Sequence, residues 1–157
     1  MLLQRGYSLI ELLYAVVLLG ILATLAIPSM TYYIRQARLY DAQKALLINF
    51  HELERFYAQN YRFKKNSTTW ATLKEIETEH FCIKFQGNPR GVKGDRFTLK
   101  AVAKNKKLEP RSIIIDDDKQ LRICETTVSE CDPPSHPNKT PYFSGDSTRT
   151  DKLCKFL

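Results

Sequence analysis

The sequence predicts an α+β protein in which one long N-terminal helix packs on an antiparallel sheet of roughly four strands. Residues 7–34 are apolar almost throughout, and residues 35–59 repeat apolar side chains at steps of three and four. Beyond residue 80, four short stretches alternate apolar and polar side chains. The 157 residues suffice for one modest domain beside the helix.

The apolar segment 7–34 is long enough to cross the hydrocarbon core of a bilayer as a helix. A secretory signal peptide is the alternative, but the run is too long for one and no A-x-A site follows it. Glu11 lies inside this run, and an acid in lipid is costly unless it has a partner. A positive amino group on a neighbouring chain would supply that partner.

The second half of the helix, residues 35–59, is amphipathic and offers an apolar stripe on which a sheet can pack. The stripe consists of Leu39, Ala42, Leu46, Phe50, Leu53 and Tyr57. Residues 60–80 form a connector. Phe63 and Trp70 are expected to anchor it to the core. The alternative is that these aromatics, interleaved with Arg62, Lys64 and Lys65, stack on and clamp nucleic acid. A short helix is expected at about residues 72–77.

The predicted sheet occupies residues 81–124. Its strands are expected at residues 81–86, 96–103, 112–116 and 120–124. Such alternation is typical of an antiparallel sheet with one face on a helix and the other in solvent. Residues 125–157 contain four prolines and little periodicity, which indicates an irregular C-terminal loop held by cysteines.

The four cysteines stand at positions 82, 124, 131 and 154. None of the spacings is C-x-x-C and the histidines do not cluster near them, so a zinc site is not predicted. In an exported domain an even number of cysteines favours disulfides, and the residues alone leave three pairings open.

Positive charge is concentrated in one part of the chain. The net charge is +7, and residues 80–112 carry nine bases against two acids. The nine are Lys84, Arg90, Lys93, Arg96, Lys100, Lys104, Lys106, Lys107 and Arg111. Lys84 and Lys100 fall on the polar phase of their strands and are expected to lie together on an exposed face. Such a surface suggests nucleic acid, anionic lipid or acidic glycan as the partner, and a solvated face with lysine-protected edges is the alternative.

Enzyme chemistry is not predicted. The sequence has no Ser/His/Asp arrangement of a recognised kind, no phosphate-binding glycine loop and no metal-ligand cluster. Three consecutive acids at residues 116–118 favour a turn between strands over a calcium site. We therefore expect no cofactor and no metal.

The start of the apolar segment resembles the class III signal of type IV pilins and pseudopilins. Residues 6–11 are G-Y-S-L-I-E, and a proline follows at position 28. The resemblance implies that residues 1–6 are a leader. It implies that a prepilin peptidase cuts after Gly6 and methylates Tyr7, and that Glu11 meets the terminal amine of another pilin subunit. It also implies the type IV pilin fold, with a transmembrane first half of the helix and a disulfide-held C-terminal loop.

Most of residues 35–157 resemble the ComP-type DNA-uptake minor pilins of naturally competent bacteria. The stretches that carry this likeness include HELERFYAQNYRFK, FCIKF, RFTLKAVA and LCK. The likeness implies binding of double-stranded DNA through an electropositive stripe, a preference for a short uptake sequence, and a role in natural transformation. Lys84 and Lys100 match basic positions of that stripe. Ile114 stands where the family has a further lysine, with Arg111 nearby.

The same likeness implies the disulfides Cys82–Cys131 and Cys124–Cys154, and it directs attention to the loops at residues 87–95 and 126–152 for base contacts. It implies a protein of a Gram-negative bacterium that crosses the inner membrane once before assembly and then enters a pilus in the periplasm and at the cell surface. A minor pilin for adhesion, aggregation or pilus assembly without DNA binding is one alternative. A secretion-system pseudopilin is the other, and such proteins often use calcium in place of cysteines.

Overall fold

The structure is a computed structural model that describes residues 8–132 and 140–157. The predicted cleavage site, Gly6, and methylation site, Tyr7, lie outside these residues. The chain divides into two compact units, Met1–Ala37 and Arg38–Leu157. Helix α1 (Leu9–Asn60) begins in the first unit and ends in the second.

The described part of the first unit is helix. The backbone N–H of Ser8 donates to Glu11 Oε2 at 2.9 Å, so the acid satisfies an amide that the first helical turn leaves without a partner. This S-x-x-E pattern therefore gives Glu11 a local role within the chain. Within the described residues, no helix has an apolar stretch long enough to span a membrane.

In the second unit, α1 carries the predicted apolar stripe. Leu39, Leu46, Phe50 and Leu53 are each at most 2% exposed. Each side chain of this size stabilises the fold by about 1.5–3 kcal/mol when it leaves water. The stripe packs in one core cluster with the inward side chains of the sheet, which confirms the expected layering of helix on sheet.

The connector contains a small hairpin of β1 (Lys64–Asn66) and β2 (Thr69–Trp70). The predicted helix at residues 72–77 is wrong, because these residues form no helix. The buried side chain of Asn49 on α1 accepts from the N–H of Lys74 and of Glu75, both at 2.9 Å, and donates to the Glu75 carbonyl at 2.6 Å. These bonds hold the backbone groups in a non-helical arrangement.

Within the described residues, the main sheet has six strands, two more than predicted. The four central ones are β3 (Phe81–Gln86), β4 (Thr98–Ala103), β5 (Ser112–Asp116) and β6 (Leu121–Thr127). The tail adds β7 (Tyr142–Phe143), a four-residue helix α2 (Ser147–Thr150) and β8 (Asp151–Phe156). The strand order is β7-β3-β4-β5-β6-β8, and among these described strands only the β3–β7 pair is parallel. The tail is thus partly regular, where an irregular loop was expected.

The sheet face opposite the helix is covered in its middle, so the prediction of a solvent-facing surface is wrong there. Phe143 of the tail packs on Cys82 and Val102 in a second, smaller cluster. The structure contains the disulfides Cys82–Cys131 and Cys124–Cys154, the expected pairing. Their separations of 49 and 30 residues correspond to about 4 and 3.5 kcal/mol of stabilisation in the chain-entropy model. Both bonds tie the tail to the sheet.

Candidate nucleic-acid interface

The predicted cations of the strands lie in one row across the covered face. Lys84 is opposite Lys100, Lys100 is opposite Ile114, and Ile114 is opposite Arg122 on the next strand. The alternation of the sequence therefore places these residues on one face correctly. Their exposure depends on what the tail covers.

Lys100 is fully buried, with 0% of its surface exposed. Its amino group donates to Ser129 Oγ at 2.7 Å, to Thr150 Oγ1 at 3.2 Å and to Asp151 Oδ2 at 2.9 Å. The other oxygen of Asp151 accepts from Ser112 Oγ at 3.0 Å. Burial lowers the pKa of Lys100, and the hydrogen bond and charge of Asp151 oppose that shift.

The expectation that Lys100 lies exposed beside Lys84 is therefore wrong, and its contact with DNA stays a prediction. The three partners Ser129, Thr150 and Asp151 belong to the tail, which closes over the lysine. A side chain without accessible surface cannot reach a phosphate unless the segment that covers it moves. Lys100 instead holds the tail on the sheet.

Lys84 is only partly accessible, at 14% of its side chain. Its amino group lies 2.5 Å from Asp132 Oδ2 and 5.4 Å from the ring centre of Phe143. Ile114 is buried at 1% exposure, and Arg122 pairs with Asp116. The row therefore presents little unpaired positive charge on the described surface.

The loop between β4 and β5 has its charges largely paired. Lys104 lies 2.9 Å from Glu77, and Lys106 lies 3.4 Å from Glu130. Both the Nε and an Nη of Arg111 donate to Glu109 at 2.6 Å. Lys107 is exposed. Acids thus compensate three of the four cations predicted in this part of the chain.

The loop between β3 and β4 differs in this respect. Arg90, Lys93 and Arg96 are exposed, and none of them forms an ion pair with another described residue. Arg96 is close enough to Asp117 to oppose the raised pKa that burial gives that carboxyl group. The two basic loops lie at opposite ends of β4, whose six residues span about 20 Å.

Two further cations adjoin the β3–β4 loop. Arg62 and Lys65 are exposed on either side of β1's first residue. The N–H of Phe63 donates to the Gly94 carbonyl at 2.7 Å, and the indole N–H of Trp70 donates to the Gly87 carbonyl at 3.0 Å. The sequence alone did not show that these cations adjoin the β3–β4 loop. Phe63 and Trp70 are core anchors as predicted, each 6% exposed.

The exposed cations of both segments form what we call the loop-end surface: Arg62, Lys65, Arg90, Lys93 and Arg96. Exposed positive charge that forms no ion pair attracts a polyanion and makes binding dependent on salt. As for metals, the described residues contain no group of three or more His, Cys, Asp or Glu side chains suited to an ion.

Comparison with known families gives two matches. Residues 28–126 match the family described as type IV minor pilin ComP, DNA uptake sequence receptor. Residues 1–27 match the prokaryotic N-terminal methylation motif. No curated protein matches the chain.

Among solved structures, the chain is similar to the solution structure of the minor DNA-uptake pilin ComP from Neisseria subflava. The two are 31% identical with a TM-score of 0.59, over 76% of this chain and 95% of the other. The global fold of the type IV pilin ComP from Neisseria meningitidis is 38% identical with a TM-score of 0.46, over 74% of this chain and 90% of the other. The long helix, the mostly antiparallel sheet and the family match agree, and the chain belongs to the type IV minor pilin ComP family of DNA uptake sequence receptors.

Proposed function

We propose that this minor pilin binds extracellular double-stranded DNA through the loop-end surface and so takes part in DNA uptake during natural transformation. The observation that carries the proposal is the contrast between the two basic loops. The cations of the β3–β4 loop are exposed and form no ion pair with another described residue, whereas most of those at the other end of β4 are paired.

Phosphate contacts would supply affinity and a steep salt dependence. Each phosphate that a cation neutralises contributes about 0.9 to the slope of log K against log salt. Such contacts fix the protein on the duplex but carry little sequence information. Preference for a short uptake sequence would come from side chains that reach base edges, from the loops at residues 87–95 and 126–152. Residues 133–139 of the second loop lie outside the described residues.

The N-terminal segment would place this surface in a pilus. The match to the methylation motif supports cleavage after Gly6 and methylation of Tyr7 by a prepilin peptidase. Glu11 would then exchange its contact with Ser8 for the terminal amine of a neighbouring pilin subunit. The protein would reside in the inner membrane before assembly and then in the filament, in the periplasm and at the cell surface of a Gram-negative bacterium.

The test compares two triple variants that remove the same charge from opposite ends of β4. The full-length chain in detergent is titrated with a duplex enriched from a random-sequence pool by binding, and with a scrambled duplex. For Arg90→Ala/Lys93→Ala/Arg96→Ala we expect an affinity at least about tenfold lower than that of the wild type, and a salt slope smaller by about 2.7. For Lys104→Ala/Lys106→Ala/Lys107→Ala we expect a loss of about threefold at most, because two of these lysines already have acid partners.

Equal losses in the two variants would mean that only net charge matters, and the loop-end surface would not be the interface. Wild-type affinity in the first variant would refute the assignment outright. A wild-type chain that retards no duplex at low salt would refute DNA binding itself.

A further inference from the structure

Lys64, the first residue of β1, is buried although both neighbouring cations are exposed. It is 6% exposed, whereas Arg62 and Lys65 lie in solvent. Its amino group donates to the carbonyl of Val92 at 2.7 Å, 28 residues further along the chain. Lys64 therefore joins β1 to the loop between β3 and β4.

The loop is held on both sides of Lys93. The Val92 carbonyl accepts from Lys64 Nζ, and the Gly94 carbonyl accepts from the N–H of Phe63, each at 2.7 Å. The two fixed carbonyls belong to the residues directly before and after Lys93. The backbone of Lys93 is thus fixed while its side chain remains exposed.

Gly94 shows how closely the lysine approaches the loop. A Cβ added at Gly94 would lie 2.7 Å from Lys64 Cδ and 3.1 Å from Cγ. Gly94 also has a φ of +89°, which a residue with a side chain seldom adopts. The aliphatic part of Lys64 therefore packs directly against the loop backbone, and the contact requires glycine there.

Burying a lysine costs more free energy than burying an aliphatic residue of similar size if the side chain serves only to fill space. Among the described residues, no carboxylate forms an ion pair with Lys64. A polar group taken out of water costs free energy that one hydrogen bond repays only in part, and an aliphatic residue would fill the same space without this cost. The amino group has a role beyond packing if its hydrogen bond is needed to hold the Val92 carbonyl, and with it the β3–β4 loop, in place.

We propose that Lys64 is a positioning residue for the DNA-binding surface: it fixes the β3–β4 loop so that Arg90, Lys93 and Arg96 meet a duplex as one arranged set. Lys64 itself touches no phosphate. This inference rests on the proposed function, because it assigns Lys64 a role in the same surface.

The test uses Lys64→Met, which keeps the aliphatic part and removes the donor, and Gly94→Ala, which disturbs the same contact from the loop side. Lys74→Met is the control, since it removes an equal charge from an exposed lysine outside the loop-end surface. In the full-length chain in detergent we expect Lys64→Met and Gly94→Ala to reduce the preference for the enriched over the scrambled duplex about fivefold, with an unchanged salt slope. Lys74→Met should keep the preference.

Hydrogen exchange of the same variants gives a readout independent of DNA. In Lys64→Met, peptides covering residues 62–66 and 88–95 should exchange faster, while those covering β5 and β6 exchange as in the wild type. Unchanged exchange at residues 88–95 would overturn the inference, as would faster exchange with wild-type preference. A salt slope reduced by about one would also overturn it, because Lys64 would then be a phosphate contact.

A wild-type chain that binds no duplex would overturn the proposed function, and with it the DNA role of Lys64. The exchange comparison would still decide whether Lys64 holds the loop.

Discussion

Two lysines on the same hairpin, Lys93 in the β3–β4 loop and Lys100 in the middle of β4, have opposite environments. Lys93 is exposed and forms no ion pair with a described residue, whereas Lys100 is fully buried and has three hydrogen-bond partners in the tail. The cation at the centre of the sheet thus binds another part of its own chain, whereas the cations of the loop at its end are available to a partner. Positive charge on the polar phase of a strand does not by itself mark a binding surface.

The difference arises from what lies over each region. The tail crosses the covered face and brings Ser129, Thr150 and Asp151 to Lys100, and the disulfides hold it there. The β3–β4 loop extends beyond the end of the strands, where β1 supports it from the side. A partner could displace water from the loop, but it would have to displace part of the fold to reach Lys100.

The largest expected effect is the loss of stability on breaking the Lys100–Asp151 pair. Lys100→Ala leaves a buried carboxylate without its partner, which costs about 3–5 kcal/mol in the free energy of unfolding. Lys93→Ala should cost less than about 0.5 kcal/mol, as exposed substitutions do. Urea unfolding of the full-length chain in detergent measures both values.

The double variant Lys100→Met/Asp151→Leu sharpens this comparison. Removing both charges avoids the unpaired carboxylate, so the pair of changes should cost less than Lys100→Ala alone. If Lys100→Ala were as mild as Lys93→Ala, the buried network would not hold the tail and the two regions would not differ as described.

Local patterns predicted the elements whose evidence lies in neighbouring residues. The helical stripe from Leu39 to Leu53 and the strands at residues 81–86 and 112–116 follow from periodicity alone. The position of the tail over the sheet does not follow from periodicity, because Lys100 contacts Ser129 and Asp151, which lie 29 and 51 residues further along the chain. The periodicity of a sequence does not reveal contacts between residues so far apart.

The candidate site shows the same limit. Counting charges located the basic part of the chain but could not separate paired from unpaired cations. The acid partner of Lys84 is Asp132, 48 residues away, and that of Lys106 is Glu130, 24 residues away. The contribution of Arg62 and Lys65 depends on the contact of Phe63 with Gly94, which also joins distant segments. Only the folded arrangement distinguishes the loop-end surface from the row on the sheet.

An intermediate effect is expected at Lys84, which lies between the two environments. Its pair with Asp132 is largely shielded, with side chains 14% and 22% exposed, so Lys84→Ala should cost about 1–2 kcal/mol in unfolding free energy. In DNA titrations the variant should lose less than about twofold, against about fivefold for Lys93→Ala, which corresponds to about 1 kcal/mol. If Lys84→Ala lost as much affinity for DNA as Lys93→Ala, the interface would include the row on the sheet, and the loop-end surface alone would not explain binding.

The smallest expected effect concerns the start of the segment that covers Lys100. Asp146 caps α2 by accepting from the N–H of Thr148 at 3.0 Å, and this hydrogen bond holds the pKa of Asp146 below its ordinary value. A carboxyl group with a lowered pKa stabilises the fold at neutral pH, and this contribution is lost as pH falls below about 4.

Asp146→Ala should therefore cost at most about 1 kcal/mol at pH 7, and the difference from the wild type should shrink between pH 4 and 2. Asp146→Asn keeps a capping oxygen without titrating, so its difference from Asp146→Ala should not vary with pH. Urea unfolding at a series of pH values would contradict the capping role if the wild type and Asp146→Ala differed equally at pH 7 and pH 2. In that case Asp146 would not stabilise α2 by capping it, and the buried contacts of Thr150 and Asp151 with Lys100 would hold this part of the tail without it.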